Sequence, residues 1–247
     1  MAQLSKHGLE TLWEDGDFIL SRSTLADEPA PVLLLAPASE RPAPGIIARL
    51  EHAYALRGEL EPSSVARPLR LVHCGGLPAL LLEDPGGNLL ARLLGQPWEL
   101  PQFLRAALGV AVALGRLHAR GLIHRDVNPA NILLNPATGQ AWLIGICFVS
   151  RLPRGQVPAL PEEITGTLAY MAPEQTGRMN RSIDARSDLY SFGVTLYQML
   201  TGTLPFTATD PMEWVHCHIA RQPMPPNERL KGIPEQISAI IYSLKCQ

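Results

Sequence analysis

The chain has 247 residues, of which 46% are hydrophobic, and a formal net charge of −2 at pH 7. This apolar content suffices for a packed core, and the near-neutral charge gives no electrostatic reason to expect a nucleic-acid partner or an anionic membrane. No run approaches the roughly 18 apolar residues of a spanning helix. Residues 1–16 carry charges where a signal peptide needs an apolar stretch, so we expect no membrane insertion and a cytoplasmic location.

The N-terminal third alternates short apolar runs with proline-broken connections. Residues 18–22 and 32–36 are strand-like, and residues 45–60 carry apolar side chains at helical spacing. The acidic and glycine-rich residues 83–87 interrupt this pattern and indicate a hinge between two lobes.

The middle of the chain predicts a long helix followed by a hairpin. Residues 100–120 repeat apolar side chains at helical spacing, with arginines on the other side. The apolar runs 132–134 and 142–144 are separated by Asn-Pro-Ala-Thr-Gly, a turn composition.

Three motifs follow one another at a spacing that chance rarely supplies. They are His-Arg-Asp-Val-Asn-Pro-Ala-Asn at 124–131, Met-Ala-Pro-Glu at 171–174 and Ser-Asp-Leu-Tyr-Ser-Phe-Gly at 187–193. Together they resemble the C-lobe of a serine/threonine protein kinase. The resemblance implies a two-lobed α+β fold in one domain, residues 1–247, with a mostly β N-lobe (1–85) and a mostly helical C-lobe (86–247). Because the chain ends at Gln247, we expect this C-lobe to be incomplete, leaving Glu174 without its usual arginine partner.

The resemblance also assigns roles in the catalytic loop. It implies that Asp126 orients the substrate hydroxyl and accepts its proton, and that Asn131 holds a magnesium ion. It implies that Asp188 clamps the loop backbone. Asp126 is equally well explained as a retained scaffold residue, because motif carboxylates mark function only statistically.

Three charges of the kinase pattern are missing. Gly145 stands where the metal-binding aspartate should follow the second hairpin strand, and no carboxylate lies within ten residues of it. The phosphate-clamping lysine should lie at Leu35 or Ala36, but the chain holds only three lysines, Lys6, Lys231 and Lys245. Arg22 is the nearby cation that could substitute, although a solvated surface arginine is the simpler interpretation.

The glutamate that would pair with that lysine is also missing. Its best match on the helix is Ala53, and Glu51 lies on a different face. Losing both charges together is coherent, because a lone buried charge is costly. Residues 14–17 replace the glycine-rich loop with three acids and one glycine, and Asn128 stands where most serine/threonine kinases have a lysine.

These departures favour a catalytically impaired pseudokinase. Losing two preorganised groups at about 3 to 4 kcal/mol each removes on the order of 10³ to 10⁵ in rate, even with strong non-additivity. We expect any ATP binding to be weak and to rest on adenine contacts with Leu82, Glu83, Asp84 and Leu133. Magnesium, left mainly with Asn131, should add nothing to it.

A closer resemblance is to the kinase-like domain at the N-terminus of bacterial hybrid sensor histidine kinases, carried by residues 166–181 and 214–221. It implies partners among adjoining signalling domains of a larger two-component-type protein. Three hypotheses remain open: a regulatory or interaction module, a weakly active serine/threonine kinase, and a decayed fragment that folds poorly. Four cysteines without CxxC spacing predict reduced thiols, and the run His216-Cys217-His218 does not predict a metal site, since neighbouring side chains on a helix diverge.

Overall fold

The computed structural model describes residues 9–25, 28, 30–152, 166–179 and 181–245. Its strands are β1 (Glu10–Glu14), β2 (Phe18–Ser23), β3 (Val32–Pro37), β4 (Pro68–Cys74), β5 (Leu77–Glu83), β6 (Asn88–Leu89), β7 (Leu122–Ile123), β8 (Ile132–Leu134), β9 (Ala141–Leu143) and β10 (Ser150–Arg151). Its helices are α1 (Pro44–Ala55), α2 (Leu90–Leu93), α3 (Leu100–Ala119), α4 (Ala185–Thr201), α5 (Pro211–Ala220), α6 (Pro226–Arg229) and α7 (Glu235–Lys245).

The N-lobe is a five-stranded antiparallel sheet in the order β1-β2-β3-β5-β4, with α1 against one face. The central strand β3 is a continuous apolar run because it is buried on both faces. Leu33 and Leu35 belong to the main core below the sheet, whereas Val32 and Leu34 belong to a smaller cluster on the opposite face.

The helix expected at 45–60 is shorter in the structure. It begins at Pro44, where the fixed φ of proline suits a first helical position, and it ends at Ala55 before a 3₁₀ turn over Leu56–Gly58. Leu50 and Ala53 are its buried residues, so its inner face matches the apolar stripe of the sequence.

The C-lobe is built on α3 and α4, around the small sheet β6-β8-β9 and the pair β7-β10. The hairpin β8–β9 lies tightly against α3 at Gly109. A Cβ at Gly109 would lie 1.8 Å from the carbonyl oxygen of Gly139, so a larger residue would force the hairpin off the helix.

The core is continuous across the two lobes. One cluster runs from Leu20, Leu33 and Leu80 of the N-lobe sheet to Val110, Leu143 and Tyr197 of the C-lobe. The strand-rich N-lobe and the helix-rich C-lobe confirm the two-lobed α+β architecture implied by the resemblance. By length and composition, α3 alone among the described helices could also span a membrane, contrary to the expectation from apolar runs. Its Phe103, Val110 and Leu117 are part of the core, and core helices pass the same test.

Candidate active site

The catalytic loop is fixed from below by Asp188. This carboxylate lies in the first turn of α4, is 1% exposed, and accepts the backbone N–H groups of His124 and Arg125, each at 2.8 Å. His118 Nε2 donates to the same carboxylate at 2.8 Å. Arg125 has a φ of 69°, in the left-handed region that few side chains adopt, and the clamp holds it there. The clamp expected at Asp188 is confirmed by these distances.

Asp126 is held by three donors at the top of this loop. Its Oδ1 accepts the N–H of Thr167 at 2.8 Å and Nδ2 of Asn128 at 3.1 Å, and its Oδ2 accepts Nδ2 of Asn131 at 2.7 Å. The structure thus brings the two expected site residues, Asp126 and Asn131, into direct contact.

Asn128 takes a bridging position where a lysine was expected. Its Nδ2 also donates to Thr167 Oγ1 at 3.0 Å, and its Oδ1 accepts the N–H of Ala130 at 2.8 Å. Asn128 therefore ties the loop to Thr167 and caps the short turn Pro129–Asn131. Both the nitrogen and the oxygen of this neutral side-chain amide are therefore hydrogen-bonded within the protein.

The space beside Gly145 is filled by Asn131. A Cβ on Gly145 would lie 2.2 Å from Asn131 Oδ1 and 2.7 Å from its Nδ2, well inside van der Waals contact. Gly145 also has a φ of 71°, which favours glycine. The site of the expected metal-binding aspartate is thus occupied by the amide of its neighbour.

Leu35 rather than Ala36 faces the cleft. Leu35 is 3% exposed and belongs to the main core, whereas Ala36 packs against the cluster on the other face of the sheet. Ala53 on α1 is fully buried, and Glu51 is exposed. The structure therefore places uncharged side chains at the positions where the resemblance led us to look for an ion pair.

Arg49 of α1 is a charged residue that the sequence analysis missed. Its Nη1 lies 2.7 Å from Asp17 Oδ2 in the β1–β2 turn, and its guanidinium carbon lies 4.8 Å from the centre of the Phe148 ring. One turn further along α1, His52 Nε2 contacts the carbonyl oxygen of Val149 at 2.7 Å. The sequence could have pointed to Arg49, because it lies four residues before Ala53 and therefore on the same helix face.

Arg22 is neither a phosphate clamp nor a solvated surface arginine. Its Nε lies 2.6 Å from Asp84 Oδ2, and its Nη2 donates to the carbonyl oxygen of Gly87 at 3.0 Å. The side chain of Asp84 is 3% exposed, and the ion pair raises the pKa of Arg22. Arg22 therefore ties β2 to the hinge.

The other expected nucleotide contacts lie beside this tie. Leu82 and Leu133 are at most 1% exposed within the core, and Glu83 lies 3.7 Å from Arg67. None of Leu82, Glu83, Asp84 and Leu133 lines the cavity between the lobes. Adenine contact at these four residues stays a prediction.

A cavity of about 310 Å³ lies between the β1–β2 turn and the catalytic loop, and we call it the cleft cavity. Its apolar and aromatic walls are Trp13, Phe18, Leu35, Ala91, Leu94, Phe148 and Tyr170. Its charged lining residues are Glu14, Asp15 and Asp126, all acids, and its neutral polar ones include Asn128, Asn131, Thr167 and Gln198. Burial raises the pKa of the Cys147 thiol in its wall to about 12, so this thiol stays protonated at neutral pH.

Comparison with known families agrees with this geometry. The family sequence model of the protein kinase domain matches residues 80–244. The chain belongs to the protein kinase family. Serine/threonine-protein kinase PknB of Mycobacterium leprae is 32% identical over 169 residues, which cover 68% of this chain and 27% of that protein. Pkn1 of Myxococcus xanthus is 34% identical over 167 residues, or 66% of this chain and 24% of that protein. The chain thus spans about a quarter of the length of these bacterial relatives.

Kinase domains in general use ATP and magnesium, but the residues of this cleft do not fit that pair. Among the described residues, no three histidine, cysteine, aspartate or glutamate side chains come together as a metal site. Asn131 donates its NH₂ group to Asp126, so its Oδ1 is the side-chain oxygen it offers beside Gly145, and Gly145 adds no second ligand there. Among the residues that the structure describes, no cationic side chain lines the cleft cavity to meet phosphates.

Glu174 of the kinase Ala-Pro-Glu motif has a partner after all. The hydroxyl of Ser187, in the first turn of α4, donates to Glu174 Oε1 at 2.5 Å. The expectation that Glu174 lacks a partner holds only for an arginine within the described residues. A short hydroxyl bond connects the substrate-facing loop to the same helix that carries Asp188.

Proposed function

We propose that this chain is a kinase-fold signalling module with a regulatory or interaction role, and that its phosphotransfer is very weak or absent. The observation that carries this proposal is the contact between Asn131 and Gly145. Since the amide lies next to the glycine, a carboxylate at this position, and a metal ion bound by it, would require Asn131 to move aside. With Leu35 at the expected lysine position, the described lining of the cleft cavity offers no positive charge to a triphosphate.

A weakly active serine/threonine kinase is the second candidate. It is supported by the retained contacts of Asp126 with Asn131 and Thr167, and by the names of the relatives, which are serine/threonine-protein kinases. Even so, the absent groups would lower an ordinary kinase turnover of about 1 to 100 per second by on the order of 10³ to 10⁵.

We further propose that the module works in the cytoplasm, next to other signalling domains of a two-component-type protein. This is supported by the resemblance of residues 166–181 and 214–221 to hybrid sensor histidine kinases. It also agrees with relatives that are about four times as long as the matched segment. Such a domain would transmit a signal through contacts rather than through chemistry.

The decisive experiment measures phosphate transfer and nucleotide binding on the same preparation. We expect no transfer of labelled phosphate from ATP to a generic protein substrate, and no magnesium-dependent gain in melting temperature with ATP. Asp126→Asn should change neither readout. Magnesium-dependent stabilisation, with transfer that Asp126→Asn abolishes, would replace this proposal with the weak-kinase alternative.

A further inference from the structure

The cleft cavity combines aromatic walls with unneutralised negative charge. Glu14, Asp15 and Asp126 line it, and no lysine, arginine or histidine does among the described residues. None of these three carboxylates makes an ion pair in the part of the chain that the structure describes. The nearest arginine of α1, Arg49, is engaged by Asp17 and Phe148 instead.

The carboxylates keep capacity to accept further hydrogen bonds. Asp126 receives three donors on two oxygens, and a carboxylate offers about four lone-pair positions. Asp15 Oδ1 accepts the N–H groups of Asp17 and Phe18 in its own turn, which fixes the carboxylate at the rim. Both of these donors are neutral, so no ion pair within the described part of the chain balances the charge of Asp15.

Four aromatic rings contribute to the same cavity: Trp13, Phe18, Phe148 and Tyr170. The negative face of an aromatic ring attracts a cation, most strongly a planar guanidinium that can also stack. The volume of about 310 Å³ lies at the small end of ligand pockets and has room for a guanidinium group together with its alkyl chain.

We propose that the cleft cavity binds a guanidinium group in the place where an active kinase holds its nucleotide. The group is either the arginine side chain of a protein segment or a free small guanidine. Its fork of N–H donors would meet the carboxylates of Asp126 and Glu14, and its plane would lie against Trp13. The inference rests on the proposed function only in taking the cleft to be free of nucleotide.

The test compares two probes of nearly equal shape and different charge. n-Butylguanidinium and n-butylurea are titrated into the full chain, with tryptophan emission and calorimetry as readouts. We expect saturable binding of the cation, weakened by added salt, and no measurable binding of the neutral urea. Trp13→Phe should remove the emission change while the calorimetric signal persists.

Charge-removing variants locate the site. Asp126→Asn and Glu14→Gln should each weaken n-butylguanidinium roughly threefold to tenfold, while Glu51→Gln, on the exposed side of α1, should leave it unchanged. Blocked pentapeptides with a central arginine or citrulline separate the two sources. Tighter binding of the arginine peptide than of n-butylguanidinium favours a protein partner, and the reverse order favours a free guanidine.

The proposed guanidinium site is wrong if the cation and the urea bind equally well, or if neither Asp126→Asn nor Glu14→Gln weakens binding of the cation. No binding of either probe, together with absent phosphotransfer, overturns the site and leaves the proposed function standing. ATP binding that magnesium strengthens, with transfer that depends on Asp126, overturns both.

Discussion

The catalytic loop and the wall of the cleft that faces it differ in whether they keep the charged residues of the kinase pattern. Under the loop, Asp188 keeps its charge and satisfies the amides of His124 and Arg125. In the wall, Leu35 and Gly145 stand where a charged clamp and a metal ligand would be. Charges that satisfy buried backbone groups are needed for folding, whereas charges that meet only a ligand can be replaced without cost to the fold.

The largest expected effect separates Asp188 from Asp126. Asp188→Ala leaves two backbone donors near the core without an acceptor, so we expect a loss of about 2 to 6 kcal/mol in the free energy of unfolding, at about 1 to 3 kcal/mol per donor. Asp126→Ala should cost less than about 1 kcal/mol. Its side-chain donors keep other acceptors, since Asn131 Nδ2 also lies 2.9 Å from the Asp126 carbonyl oxygen, and Asn128 Nδ2 lies 3.0 Å from Thr167 Oγ1.

Urea denaturation of both variants measures this difference. Asp188→Asn serves as the matched control, because it keeps one carbonyl acceptor and should fall between the wild type and Asp188→Ala. Similar losses for Asp126→Ala and Asp188→Ala would mean that the two regions do not differ in their role in folding.

The next effect concerns Gly145. Restoring the metal-ligand position with Gly145→Asp should destabilise the fold by roughly 1 to 3 kcal/mol, because the new Cβ collides with Asn131 and the backbone φ is positive. Gly145→Ala adds the same Cβ without the carboxylate, so it should lose a similar amount. Thermal melts with and without magnesium check this, and a magnesium-dependent rise for Gly145→Asp alone would show that Asn131 can move aside.

A smaller effect is expected at Arg49. Arg49→Ala removes the ion pair with Asp17 and the stacking on Phe148, and should cost about 1 kcal/mol while speeding hydrogen exchange at residues 146–149. Arg57→Ala removes a comparable stacking contact with Tyr54, three residues away at the end of α1, and is the matched control. Unchanged exchange in Arg49→Ala would show that His52 alone holds α1 to this segment.

The smallest effect is a pH-dependent one at the start of α4. The hydrogen bond from the Arg186 side chain, opposed by burial and aided by the Arg186 N–H, holds the pKa of Asp184 below its ordinary value. A carboxylate whose pKa is lowered in the folded state stabilises the fold above its unfolded pKa of about 4 and loses that contribution as the pH falls through the folded value.

Asp184→Asn keeps a good helix cap but removes this charge. It should lower the free energy of unfolding by up to about 1 kcal/mol at pH 7, since the pair is partly solvent-screened, and by less as the pH falls below about 4. Urea denaturation at pH 7 and at a pH below about 4 measures the difference. A loss that is equal at both would assign the effect to cap geometry rather than to charge.

Several elements were predictable because their signals are local. The helix expected at 100–120 is α3 at Leu100–Ala119, and the hairpin expected around residues 132–144 is β8–β9, displaced by one residue at its second strand. The end of α1 was placed five residues too late, because apolar residues continue into the 3₁₀ turn after Ala55. Periodicity does not distinguish a helix from the turn that follows it.

The sequence by itself determined the kinase family, the catalytic loop and the absence of the expected charges, because motif identity and spacing are properties of the chain. Only the tertiary structure decided which groups replaced those charges. Asn131 fills the space beside Gly145, Arg49 reaches Asp17 and Phe148, and Arg22 ties β2 to Asp84. These partners lie far apart in sequence or on side chains whose direction is set by packing, so their contacts exist only once both lobes have closed around one core.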